Sequence, residues 1–254
     1  MHSKTSTFAA TFSALLLLVL PASNTLAGGL KDDPGPPLFS WTGFYVGGHA
    51  GIGTGDTSGV PQTLTIPAGP VVIPIPPAIG AFFSSDYEMS GALYGGHIGY
   101  NFQKNNLVFG IEGSISGTSI NGDGPAGLGL IVSEREVDWL ASVTGRLGYA
   151  MGQSLVYAKG GVAWGKVSST VRLGGIAVLE GDETHVGWTA GVGFEHAINN
   201  NLSFRIEYAH YDLGSETHSL SYNGALGGAP GLFSIESDVD ARIDTLTVGV
   251  SYKF

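Results

Sequence analysis

The chain has 254 residues, 41 of them glycine, with charged residues at only 13% and a formal charge of −10. That composition is too apolar for a disordered chain and too sparsely charged for an ordinary water-facing surface. Cysteine is absent, which excludes disulfide frameworks and thiolate metal sites, so strand pairing and packing alone must hold the fold.

The first 27 residues read as an export signal. Lys4 supplies the positive start, residues 8–20 supply an apolar core containing "ALLLLVL", and Thr25-Leu26-Ala27 offers small residues for cleavage after Ala27. The remaining 227 residues carry 10 basic and 21 acidic side chains, a formal charge of −11. No cysteine follows the cleavage site, so the mature N-terminus cannot be acylated on sulfur. Beyond residue 27 no stretch reaches the ~20 apolar residues of a spanning helix. Spanning strands leave a much weaker trace per segment and have to be sought by alternation.

Eight segments alternate with period two: 43–53, 90–102, 107–119, 137–150, 155–167, 186–198, 202–213 and 241–254. The first shows Phe44, Val46, Ala50 and Ile52 on one face; the second Tyr94, Ile98, Tyr100 and Phe102; the third Leu107, Phe109, Ile111 and Ile115. The fourth shows Val137, Trp139, Val143, Leu147 and Tyr149, and the fifth Val156, Ala158, Val162 and Trp164. Val186, Trp188, Val192 and Phe194 follow, then Leu202, Phe204, Ile206 and Tyr208, and finally Leu246, Val248, Val250, Tyr252 and Phe254. "QKNN" (103–106), "MGQ" (151–153) and "NNN" (199–201) read as short polar hairpin turns. Between them lie long connections over 54–89, 120–136, 168–185 and 214–240. Strict alternation of short and long places all short turns at one end. The pattern predicts an all-β fold, an eight-stranded antiparallel up-and-down barrel with four long loops at the other end.

The second face decides which way the barrel faces. It carries Gly47, Gly51, Gly95, Gly99, Ser142, Thr144, Gly187, Thr189, Gly191 and Gly249 with few charges, and those nearly balance: Glu112, Glu195 and Glu207 against Arg146, Lys159 and Arg205. Small residues with a neutralising set of ions suit the cramped interior of an eight-stranded barrel, where charges must pair. The greasy face is therefore expected outward, in lipid. Phe44, Tyr100, Phe102, Trp139, Tyr149, Trp164, Tyr252 and Phe254 lie toward strand ends, as aromatic girdles at two membrane interfaces do. His49 and His97 fall on the inner face and are expected to be hydrogen-bonded filling.

Most acids sit in the long connections and their mouths. Residues 54–88, 120–138, 168–184 and 215–240 hold 14 acidic against 2 basic side chains. Such a rim repels itself in water, and its oxygen ligands suit divalent cations. With so few cations, nucleic-acid binding is not expected. Candidate enzymatic histidines are His185 near Asp182 and Glu183, His210 with Asp212, and His218 between Ser215 and Ser219; no spacing among them fixes a nucleophile and its base. The proline-rich stretch "TLTIPAGPVVIPIPPAIG" (63–80) is expected to run extended with little regular structure.

"WTGFYVGGHAG" (41–51), "EYAHYDLGS" (207–215) and "TLTVGVSYKF" (245–254) resemble the opening, penultimate-strand and closing motifs of alphaproteobacterial outer-membrane β-barrel surface antigens, often filed as porin-family proteins. These are similar in fold to the small OmpA- and OmpX-type barrels. The resemblance implies a signal peptide over 1–27, a short periplasmic segment over 28–40 and an outer-membrane barrel over 41–254. It also implies insertion by the barrel-assembly machinery, with Tyr252 and Phe254 in the sorting signal at the C-terminus. On this reading the protein is a structural, surface-exposed barrel with a filled lumen, no cofactor and no enzymatic activity. Its long loops are expected to contact lipopolysaccharide, directly or through divalent cations, or host or other surfaces. A narrow diffusion channel is the alternative, and a barrel enzyme acting on membrane lipid the third reading.

Overall fold

The computed structural model describes residues 39–66, 71–126 and 131–254. The expected signal segment and all of 28–40 except Phe39 and Ser40 lie outside the described residues.

Nine strands run β1 (Gly43–Ile66), β2 (Val71–Pro74), β3 (Ser85–Lys104), β4 (Leu107–Ala126), β5 (Ile131–Met151), β6 (Ser154–Leu173), β7 (Ile176–Ala197), β8 (Leu202–Tyr222) and β9 (Ser234–Lys253). Each of the eight long strands pairs antiparallel with its neighbours in the order β1-β3-β4-β5-β6-β7-β8-β9, and β9 pairs back onto β1 from Tyr45↔Lys253 to Thr65↔Ser234. The sheet is therefore a closed eight-stranded barrel, with β2 as a flap on the far end of β1. Closure removes the edges that an open sheet would expose.

At one end the connections are tight. Asn105 adopts φ 56° in the turn between β3 and β4, and Gly152 adopts φ 64° between β5 and β6, both in the left-handed region these turns need. The C-terminus lies at the same end, where the Phe254 amide donates 2.9 Å to the Phe44 carbonyl.

The other end departs from expectation. Stretches read as long loops continue as strand, so the wall stands far beyond the alternating segments. From Phe254 to Leu246 the outward side chains of β9 are apolar. At ~3.4 Å per residue and a tilt near 40°, that run rises about 21 Å, close to the apolar band of a spanning barrel. From Leu246 back to Ser234 the same strand climbs about 30 Å more, with Asp244, Arg242, Asp240 and Asp238 outward. The extension is missed by pattern because its outer face is polar and its alternation is broken. Between Leu173 and Ile176 the expected loop of 168–185 shrinks to Gly174-Gly175, both at positive φ (57° and 85°), a two-residue hairpin turn. The proline-rich stretch is also more ordered than expected: β1 runs through Ile66, β2 pairs back onto it, and a short helix α1 (Pro77–Phe82) follows.

Bulges reverse the inside-outside pattern locally. Asp138 is an extra residue between Val137 and Trp139, so Val137, expected on the outward face, turns into the lumen and is fully buried. A second irregularity at Asp212–Ser215, with Gly214 at φ 67°, swaps the faces of upper β8, and His218 points inward although His210 points outward.

Candidate functional site

The lumen is the site that these strands enclose, and it is layered. At the short-turn end Trp41 folds beneath the barrel. Its amide donates to Gln103 Oε1 at 2.7 Å, and its indole Nε1 donates to the Gly152 carbonyl of the opposite turn at 3.3 Å. Phe39 meets the Trp41 ring edge-on at 4.9 Å, and Val108, Ala150, Leu155, Tyr157 and Ala197 complete the cluster.

The ionic layer comes next. Glu112, Arg146, Lys159, Glu195, Arg205 and Glu207 project inward from β4, β5, β6, β7 and β8, and all six are buried. Arg146 pairs with Glu195. Lys159 Nζ lies 3.2 Å from Glu112 Oε1 and 2.7 Å from Glu207 Oε1, and Arg205 Nη1 lies 2.5 Å from Glu112 Oε2. Three cations meet three carboxylates. Tyrosines tie the set together: Tyr45 donates to Glu112 at 3.0 Å and Tyr157 to Glu207 at 2.8 Å, while Arg146 stacks on the Tyr157 ring at 3.6 Å from its centre. Ser203 donates to Glu195 at 2.6 Å. Beside this layer runs a chain of histidines and serines in which His97 contacts Ser251 at 2.9 Å and His49 at 3.3 Å, and His49 contacts Ser116 at 2.7 Å. A cavity of about 10 Å³ borders Lys159, Arg205, Glu207 and His49, roughly enough for one water.

Above the ions the lumen is greasy, which the description of the inner face as small and ionic misses. Met89, Leu93, Ile120, Val137, Leu140, Val167, Leu213 and Ile243 form a continuous buried cluster across it. Several of these lie beyond the alternating segments or behind a bulge. A polar storey follows in the extension, where Arg135 donates to Thr57 Oγ1 at 3.0 Å and lies over the Tyr87 ring. There too His185 Nε2 and His218 Nε2 stand 2.7 Å apart, and Ser169 Oγ is 3.3 Å from His218 Nδ1. Val178, Leu179, Leu220 and Tyr222 make a last apolar layer.

Of the candidate enzymatic histidines, His210 stands apart from the other two. His210 does not join Asp212. It faces outward, 2.8 Å from Asp244 Oδ1, which also accepts from Tyr208 at 2.6 Å, because the neighbour across the ladder is Asp244 on β9. Asp212 instead meets Arg242 at 3.4 Å. Ser169, His218 and His185 do form a linked row, yet all three are buried, so none presents a reactive atom to a substrate. Among the described residues no group of three or more histidines and carboxylates could hold a metal ion.

The outer surface carries exposed aromatics near the strand ends. Phe44 touches Tyr100 at 4.7 Å and Tyr252 touches Phe254 at 5.2 Å, with Phe102 and Tyr149 exposed at the same end. Trp139 and Trp164 mark the upper limit of the apolar band, joined on β7 by Trp188. Immediately above, Lys166 bridges Asp182 at 2.7 Å and Asp138 at 3.7 Å.

Residues 12–254 match the family model described as the outer membrane protein beta-barrel domain. The 31 kDa outer-membrane immunogenic protein of Brucella melitensis is 34% identical over 235 residues, covering 85% of each chain. The 22 kDa outer membrane protein of Rhizobium leguminosarum bv. viciae is 30% identical, covering 75% of this chain and 72% of its own. Among solved structures, the outer membrane protease OmpT of Escherichia coli superposes with a TM-score of 0.50 at 8% identity, covering 85% of this chain and 98% of its own, a likeness of fold alone.

Proposed function

This chain belongs to the outer-membrane β-barrel protein family, and within that family we propose that it is a closed, non-enzymatic structural barrel presenting a tall wall at the cell surface. The observation that carries the reading is the stack of layers across the lumen. An aromatic cluster, a balanced ionic layer and an apolar layer follow one another between the two mouths. Water-filled pores leave their charges solvated. Here the six ionic side chains are spent on each other and the neighbouring cavity takes about one water.

The outward apolar band would sit in hydrocarbon, with Phe44, Tyr100, Phe102, Tyr149, Tyr252 and Phe254 at the periplasmic interface and Trp139 and Trp164 at the outer one. Above it the acidic wall would stand among lipopolysaccharide, with divalent cations between carboxylate and phosphate. During biogenesis the Tyr252–Phe254 ending would engage the barrel-assembly machinery. Relatives named as outer-membrane immunogenic proteins agree with a surface-exposed wall.

The deciding experiment is conductance of the purified protein in planar lipid bilayers. The closed reading expects no discrete openings at moderate voltage. Reproducible single-channel steps would replace it with the narrow diffusion channel.

A further inference from the structure

The wall of the barrel is not evenly stitched. Between β7 and β8 the ladder holds from Ala197↔Ser203 to Trp188↔Asp212, and resumes only at Glu180↔Ser221 and Leu179↔Tyr222. Residues 181–187 and 213–220 therefore face each other without ladder pairs, from the upper edge of the apolar band at Val186 outward. The bulge at Asp212–Ser215 opens this seam and turns His218 inward. Across it the two imidazoles meet, His185 from β7 and His218 from β8, Nε2 to Nε2 at 2.7 Å, both with no exposed surface.

We propose that His185 and His218 form a proton-operated latch on the β7–β8 seam, closed when both rings are neutral and released when the outside turns acidic. A 2.7 Å contact between two ring nitrogens requires one to donate and the other to accept. Neutral rings satisfy this, and His218 keeps its second nitrogen for Ser169 on β6. One added proton leaves the contact usable. A second removes the last acceptor, and two imidazolium ions cannot remain at that distance in a buried place. The ladder lapses at this height, so separation breaks fewer paired residues here than where the register is unbroken.

Burial, more than the surrounding charges, favours release: at His185 the Glu216 carboxylate and a hydrogen bond with the Leu213 backbone outweigh Arg135, yet desolvation still leaves the ring easier to deprotonate. Arg135 from β5 lies in the same storey and opposes further positive charge. Asp182 on β7, Glu216 on β8 and Asp240 on β9 pull the other way, but each is on the outer face in water. Burial holds His218 down at about 4 from the ordinary 6.5, and lowers His185 as well. With folded values below the unfolded 6.5, the closed seam is at full strength above that pH and weakens as pH falls toward about 4.

The chain has no cysteine, so Thr184→Cys and Ser219→Cys, both exposed and on opposite sides of the seam, can be spin-labelled cleanly in the full barrel in lipid nanodiscs. A single short distance is expected at pH 7.5. Between pH 6.5 and 4 a longer population should grow by up to a hundredfold per pH unit, the slope of a two-proton step, while labels across the β5–β6 ladder, paired from Ile131↔Leu173 to Val137↔Val167, stay fixed. In His185→Gln/His218→Gln the acid response should vanish. A distance unchanged down to pH 4, or an equal response in the double variant, overturns the latch. Should that variant not fold, nitrogen-15 shifts of the two rings in the wild type decide: titration coincident with the distance change supports the latch, and titration near 6.5 without it sinks the idea.

Discussion

Glu112→Gln is the sharpest probe of the lumen. The wild-type carboxylate sits 2.5 Å from Arg205 and 3.2 Å from Lys159, and accepts from Tyr45 at 3.0 Å. Glutamine keeps the size and an acceptor for the tyrosine, so packing is barely altered. What changes is charge: Arg146, Lys159 and Arg205 then face only Glu195 and Glu207. In a dry lumen, removing one partner strands a buried cation at a cost of about 3–5 kcal/mol. In a lumen filled with water, ions 3–4 Å apart interact by only about 1 kcal/mol, and the stranded cation rehydrates. The two pictures thus differ by several-fold in one number. Urea unfolding in lipid vesicles, followed by tryptophan fluorescence and heat-modifiable gel migration, reads it directly. With an m-value of about 2–3 kcal/mol/M, the dry lumen lowers the midpoint by about 1–2.5 M. A shift below about 0.5 M would refute the closed ionic layer, and with it the structural reading.

Other substitutions test the wall from outside and within. Val250→Arg puts a cation at mid-height of the apolar band and should cost about 2–4 kcal/mol in vesicle unfolding, whereas Asp240→Arg in the upper wall should cost almost nothing; equal costs would mean the band is not in lipid. Gly161→Ala would drive its Cβ to 2.0 Å from the Val143 carbonyl oxygen, while at Gly145 the nearest atom is 3.9 Å away. The first should destabilise by about 1–3 kcal/mol and the second leave the unfolding midpoint alone; the reverse order would contradict the strand register.

The lower half of the barrel is legible in the residues because its two faces meet two different solvents. Phe254, Tyr252, Val250, Val248 and Leu246 against Ser251, Gly249 and Thr247 can be read as lipid and interior with no structure at all. The short turns at Asn105 and Gly152 are equally plain, since their chemistry is local. The upper half offers one legible point: Gly174-Gly175 is a hairpin signal inside a stretch whose broken alternation otherwise reads as loop. Elsewhere it is hidden. Asp138 and Gly214 shift the pattern by one residue, and a single shift carries Val137 and His218 to the opposite face from the one simple alternation assigns.

Local alternation settles which residues share a face, because neighbours two apart must point the same way along a pleated strand. Partnership across the ring is another matter. That Arg146 chooses Glu195, that Glu112 lies between Lys159 and Arg205, and that His185 reaches His218 depend on the strand-to-strand stagger of a closed barrel. Stagger is a sum over every turn and bulge around the ring, so no one segment carries it. Closure alone turns six scattered charges into a neutral layer.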